Sequence, residues 1–534
     1  MSRTISLILA VLFIVTLVAR VIPGPRTIDD AFITFRYSRN IVEGQGFLYN
    51  PGQPATLGTT TPLFTLLMAG MSLVTGGQDF PWYALTVSAL ADGITVMLLY
   101  LLARRFTRHD FASIIPAALY AIAPMSVTFA VGGMETSVNI LWMLAATATY
   151  GLSSGQSSRR AAILVGVFAG LGFLTRVDSA IWIGLLFVHQ LVERVWQGQP
   201  QQTPWLQRLP WATWIAFGVV TLPWLLFSLL YFGAAIPNTL SAKTVAYLIE
   251  PGSALVRLIQ AYSTVFFEDQ LFSVGSGIIA LTSLLYLLLS LLAITRSARL
   301  MPRLLPFLVY PWVYITVFSI ANPLIFRWYM APFVPALILG LFIGVWAIIT
   351  GRKNRVLELK RVRWGVPVLA IFTLFWGISS LNAWTLTPDH GNNRPAPDMA
   401  WHQIELLYQD VGTELREVEG VQPTTVVASG DIGAIGYFSR AIILDTVGLV
   451  TPSVRNYYPV SPDLIPEGQN YAIPPALILD AMPEYLVAME SMVRLGLEED
   501  PTFTSNYELI RQIPTDFYGT GMVIYQRISA APQS

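Results

Sequence analysis

Eleven long apolar stretches recur along this 534-residue chain and constrain its fold more tightly than any motif. The hydrocarbon core of a bilayer is roughly 30 Å thick, so a spanning helix needs about 20 mostly apolar residues. Nine single stretches meet that need: 4–23, 82–103, 112–131, 134–152, 209–232, 272–295, 304–322, 326–350 and 364–385. A tenth and an eleventh share the run 161–192, which is too long for one helix and is broken at Thr175-Arg176-Val177-Asp178. Residues 4–23 lack a small-residue cleavage site and exceed a typical signal core, so they read as an anchor.

Composition supports a polytopic membrane protein. Charged residues make up 12% and hydrophobic residues 54%, whereas soluble domains carry roughly 25% charge. That excludes a disordered chain, a nucleic-acid-coating protein and an ordinary cytosolic enzyme. With no cysteine, neither disulfides nor thiolate chemistry is possible. The four histidines are too far apart in sequence to make a helical zinc pair.

The net charge of zero hides a sharp asymmetry. Up to Arg363 there are 25 Lys and Arg against 13 Asp and Glu; beyond it there are 7 against 19. The change of sign marks a boundary between a basic membrane body, 1–385, and an acidic, water-soluble tail, 386–534. Lys and Arg in loops set orientation. If 62–78 lies at the outer face as an interfacial or re-entrant segment, the basic clusters 104–108, 159–160, 194–208, 296–303 and 352–363 all fall in the cytoplasm. The expected topology has a cytoplasmic N-terminus, outer loops at 24–81 and 233–271, and an extracytoplasmic tail. In that tail 399–419 has helical periodicity, and Thr424–Ser429, Ala441–Leu444, Tyr485–Met489 and Met522–Gln526 read as strands. A small α/β domain is expected there.

Candidate chemistry gathers in the first loop. Asp29 and Asp30 open an expected helix, with Thr27 or Asp29 as its N-cap and Arg36, Tyr37 and Arg39 following. One reading makes this an amphipathic helix on the outer leaflet, with its arginines near headgroups and the two Asp merely capping. The other makes one Asp a general base, its basicity raised by partial desolvation. Glu135, Arg176, Asp178, Lys243 and Arg327 occupy places that lipid would penalise. Each alone is explained by an Arg176–Asp178 structural pair or a snorkelling Arg327; together they would supply cations for an anionic leaving group. Gly430 to Gly436 has glycines three apart and reads as tight turns around a strand.

The run Asp29-Asp30-Ala31-Phe32-Ile33, with Phe35-Arg36-Tyr37, Glu43 to Phe47 and Asn50-Pro51-Gly52, resembles the first-loop signature of the lipid-dependent glycosyltransferases of the GT-C superfamily. Gly133 to Thr136, Leu174 to Arg176, Pro237-Asn238-Thr239 with Lys243, Gly430 to Gly436 and Leu444 to Leu449 are similar to its bacterial terminal arabinofuranosyltransferase branch. The resemblance implies an inverting transferase in the cytoplasmic membrane. Its donor would be a polyprenyl-phosphate sugar and its acceptor a hydroxyl on a glycan, lipid or protein. Asp29, with Asp30 as fallback, would be the catalytic base, and Arg176, Lys243 and Arg327 would face the donor phosphate. Arg36, Tyr37, Glu135, Asp178 and Asn238 are further candidates. The outer loop 233–271 resembles a mobile loop that closes over the donor. No cofactor is required; a divalent metal at Asp29/Asp30 stays open, and no nucleic acid is expected. A multi-spanning transporter or flippase, or a non-catalytic assembly protein of the same fold, are the alternatives.

Overall fold

The computed structural model describes residues 3–153, 158–196, 204–267, 276–350, 355–386, 393–517 and 519–528. The basic clusters 194–208 and 352–363 thus lie partly outside the described residues. Two compact units form, each from separated segments: Met1–Thr27, Asp79–Trp224 and Gly252–His402 in the first, and Ile28–Gln78, Leu225–Pro251 and Gln403–Ser534 in the second. A division at 385/386 follows the charge asymmetry, but the folded units draw the first loop and part of the loop 233–271 together with the tail.

The first unit is helical. Among the described residues six helices are long and apolar enough to cross a membrane: Arg3–Val21, Phe80–Thr107, Trp211–Phe232, whose last eight residues count with the second unit, Gly277–Leu300, Pro302–Ala321 and Arg327–Thr350. The pair Ile114–Ile122 and Pro124–Val131 passes the same test only when taken together, with a bend of 53° between its halves. The bend sits where Pro124 removes a backbone donor. Thr136–Leu152, Arg159–Thr175 and Ala180–Trp196 also fill expected spans, but at 17 residues each they reach only about 25 Å. The break expected in 161–192 is real: Arg176 is extended, with φ −151° and ψ 132°, between two helices. The core of this unit holds a buried ion pair in apolar surroundings. Arg20 Nε donates to Asp92 Oδ2 at 2.9 Å, Tyr120 to Asp92 Oδ1 at 3.2 Å, and both charged side chains are fully buried.

The second unit opens with α1 (Asp29–Val42) and α2 (Pro62–Thr75). At 14 residues α2 extends about 21 Å, short of a full span, and it ends on left-handed Gly76. Then come α3 (Asn238–Ala246) and α4 (Gln403–Glu417). Next are β1 (Val426–Ser429), α5 (Gly433–Ser439) and β2 (Ile442–Asp445), followed by β3 (Tyr485–Met489), β4 (Tyr507–Ile513) and β5 (Met522–Arg527). The sheet order is β2-β1-β3-β5-β4. The β1 strand runs parallel to β2 and β3, while β5 runs antiparallel to β3 and β4. The four expected tail strands are present; β4, largely exposed and broken by a register shift between Leu509 and Arg511, was not expected. Asn50 completes the edge at β2: its amide donates to Ile443 O at 2.9 Å and accepts from Ile443 N at 3.0 Å.

Candidate active site

The site in the second unit is built around two parallel-running helices, α1 and α5. Asp29 does not cap its own helix. Its N-cap position is Ile28, which makes no side-chain cap bond. The Asp29 carboxylate instead accepts Gly433 N at Oδ2 (2.9 Å) and Ala434 N at Oδ1 (2.7 Å), satisfying the free amides at the start of α5. Carbonyls near the other end of α5 are met from the same helix. Arg36 donates to Gly436 O at 2.6 Å and to Ala441 O at 2.6 Å, and Arg39 donates to Tyr437 O at 2.7 Å. One helix thus caps the other at both ends.

This arrangement overturns two expectations. Arg36 and Arg39 are not at headgroups. They are 1% and 4% exposed, and Arg36 also donates to Tyr49 O and Asn50 Oδ1. Tyr37 is likewise buried, its hydroxyl donating to Thr56 O at 2.9 Å. These side chains bond chiefly to backbone carbonyls from buried positions. The glycines at 433 and 436 do not mark turns around a strand; they lie three apart on α5, where they permit close approach. A Cβ at Gly433 would collide with the Asp29 carbonyl, and one at Gly436 with the Tyr49 hydroxyl and the Arg36 guanidinium.

Asp30 is placed differently. Its carboxylate faces Lys243 of α3, with Oδ2 and Nζ 3.3 Å apart and side chains 26% and 17% exposed. Asp431, from the turn between β1 and α5, adds a third carboxylate to this neighbourhood. It accepts the Tyr408 hydroxyl at 2.6 Å. Burial is the main force lifting both Asp29 and Asp431 above the ordinary carboxylate range. The Asp431 charge adds to the rise at Asp29, and Asp30 adds to both. The sequence reading missed Asp431 because a lone acid in a glycine-rich stretch carries no pattern of its own; only the docking of α1 on α5 gives it neighbours. Among the described residues no three His, Cys, Asp or Glu side chains converge as metal ligands.

Of the remaining predicted residues, Asn238 starts α3 in the second unit, and the others belong to the first unit, where the structure gathers Glu135, Arg176 and Asp178. Arg176 binds Asp178 through Nε (2.9 Å) and Nη2 (2.8 Å) and reaches Glu135 through Nη1 at 2.9 Å. With two carboxylates on one buried guanidinium, Arg176 has no surplus positive charge for a phosphate. Its geometry is the structural pair, enlarged by Glu135. Arg327 opens a short 3-10 turn and donates to Met399 O at 3.2 Å. His402, unremarked in the sequence reading, is pushed down to about 4 by burial, then by the Arg26 and Arg327 charges, so its imidazole is neutral at pH 7.

Comparison with known proteins bears on what this arrangement is for. A solved structure of ArnT from Cupriavidus metallidurans bound to undecaprenyl phosphate aligns over 99% of both chains with a TM-score of 0.58 and 14% identity. The chain has the GT-C fold. The archaeal oligosaccharyltransferase AglB from Archaeoglobus fulgidus, in complex with an inhibitory peptide and a dolichol-phosphate, aligns over 95% of this chain and 72% of its own at TM-score 0.54 and 12% identity. Residues 59–227 match the family described as dolichyl-phosphate-mannose-protein mannosyltransferase, and 398–527 match a domain family of unknown function. In sequence the chain resembles the terminal beta-(1->2)-arabinofuranosyltransferase of Mycobacterium tuberculosis, 25% identical over 230 residues. That match covers 41% of this chain and only 35% of the relative. The GT-C fold and the apolar helices together define a multi-pass membrane protein.

Proposed function

We propose that this protein is an inverting glycosyltransferase that moves a sugar from a polyprenyl phosphate to a hydroxyl acceptor. The observation that carries this reading is the Asp30–Lys243 pair: one carboxylate and one ammonium, partly exposed, beside an acid already anchored to backbone. The undecaprenyl phosphate in the ArnT structure supports the donor class.

The chemistry is a single displacement. Asp30 accepts the proton of the attacking hydroxyl while that oxygen bonds to the anomeric carbon and the carbon–phosphate oxygen bond breaks on the opposite face. The departing polyprenyl phosphate gains negative charge, and Lys243 is the cation placed to meet it. Asp29 acts as the fixed post of this site, holding α5 and Asp431 in place. Orientation follows from the basic loop clusters, with the second unit on the extracytoplasmic side and the N-terminus in the cytoplasm.

The test is transfer from a synthetic polyprenyl-phosphate sugar by the purified protein in nanodiscs. Asp30→Asn is expected to abolish transfer while the chain stays folded. Full activity in that variant would overturn the assignment.

A further inference from the structure

The helix that carries Lys243 is held by a docking device unconnected with Asp30. At its start, Asn238 N donates to Leu57 O at 2.9 Å and the Thr239 hydroxyl donates to Gly58 O at 2.6 Å. The Asn238 side-chain amide turns the other way and donates to the carbonyls of both Gly448 and Leu449, the latter at 3.2 Å. Ser241 accepts from Arg455 at 2.9 Å. Past the end of the helix, Leu248 N donates to Asn470 O at 2.8 Å, and the Tyr247 ring lies 5.7 Å from that of Tyr471.

The carbonyls that receive Asn238 belong to a turn organised by one buried acid. Asp445, fully buried at the end of β2, accepts Val447 N (2.9 Å) and Gly448 N (3.0 Å) at Oδ1 and Val450 N (2.7 Å) at Oδ2. Gly448 takes φ +93°, a conformation that L side chains rarely adopt. The fit is close on the first-loop side as well, since a Cβ at Gly58 would meet the Val450 side chain and the Tyr37 hydroxyl. Lys243 follows Asn238 by five residues, about 7.5 Å along the helix.

We infer that Asn238 and Asp445 are positioning residues. Asp445 folds the 446–450 turn into a receiver, Asn238 plugs into it, and this clamp sets where Lys243 can reach. The functional meaning rests on the proposed role of Lys243 at the donor phosphate; the clamp itself stands on the geometry.

The absence of cysteine makes a direct test clean. Spin labels at Thr244→Cys and Ser461→Cys in the full chain report the distance between α3 and the tail without any substrate. The parent is expected to give one narrow distribution. Asn238→Ala and Asn238→Asp, which lose the amide donors, should broaden it with little change in thermal midpoint. Asp445→Asn should broaden it partly, and Asp30→Asn and Lys243→Met should leave it narrow. In the transfer assay Asn238→Ala should raise the KM for the polyprenyl-phosphate sugar about tenfold with a smaller change in kcat. A narrow, parent-like distribution in both Asn238 variants overturns the clamp. Broadening in Asp30→Asn does so too, because it would mean that the ion pair holds the helix. A loss of transfer in the parent would count against the proposed reaction and leave the distance result standing.

Discussion

Asp29 and Ala434 lie 405 positions apart in sequence, yet the Asp29 carboxylate accepts the Ala434 amide at 2.7 Å. That bond and its companion to Gly433 separate the duties of two adjacent acids. Asp29 is tied down, and Asp30 is left to face Lys243.

Removing Asp29 should therefore act on the fold before the chemistry. Asp29→Ala leaves two amides at the start of α5 without their acceptor, and an unsatisfied buried donor costs about 1–3 kcal/mol. Thermal unfolding should shift downward in Asp29→Ala and stay close to the parent in Asp30→Asn. The reverse order would contradict the division of roles.

Close approach at Gly433 is equally testable. Gly433→Ala puts a methyl group onto the Asp29 backbone, so α1 or α5 must move. The expected result is loss of transfer together with a lower midpoint, whereas Gly70→Ala, at an open helical position with ordinary φ, should spare transfer.

In the first unit, Asp92→Ala removes the counter-charge of the buried Arg20 guanidinium and leaves it Ala121 O and Ser126 Oγ as acceptors. Breaking a buried ion pair from one side costs about 3–5 kcal/mol. Replacing both partners, as Arg20→Met with Asp92→Leu, should recover part of that loss, since Ala121 O and the Tyr120 hydroxyl lose their partners as well. Unfolding of the purified variants in one detergent would show whether the double variant lies above the single.

Acid should probe Asp445. Burial raises it to about 6, while bonds from the amides of residues 447–450, Val450 foremost, pull it back. The groups that sense its charge (Tyr37, Tyr49, Tyr247, Tyr458 and Tyr471) are tyrosines raised mainly by burial, so none titrates in this window. A raised carboxyl contributes stability that is fully present below the ordinary carboxylate value near 3.8 and is lost as pH rises through about 6. The group is worth about 3 kcal/mol across that interval. Comparing midpoints of the parent and Asp445→Asn from pH 4 to 7.5 should give a difference that changes between pH 4 and about 6 and levels off above it, and a flat difference would refute the assignment.

Much of this was legible in the chain. Among the described residues the apolar stretches are mostly helical, though only six of the helices are long and apolar enough to cross a membrane singly, because a run of apolar side chains is a local property that survives any packing arrangement. The break at Arg176 was visible for the same reason: polar residues interrupted the run. The strands of β1, β2, β3 and β5 showed their apolar character directly, while β4, with its exposed, mixed residues, did not.

The roles of the charged residues were a different matter. Sequence placed Asp29, Asp30, Arg36 and Lys243 among the residues that matter, since charges near an apolar boundary need partners somewhere. Which partner each one takes is decided by backbone groups hundreds of residues away: Gly433 and Ala434 for Asp29, Gly436 and Ala441 for Arg36, and the turn of Asp445 for the helix that bears Lys243. Burial and alternation are written in the order of side chains, so the sequence alone determined a helical membrane body and an α/β tail. A hydrogen bond between distant amides and carboxylates depends on where folded elements meet, and only the tertiary structure decided that one acid became a post while its neighbour came to face Lys243.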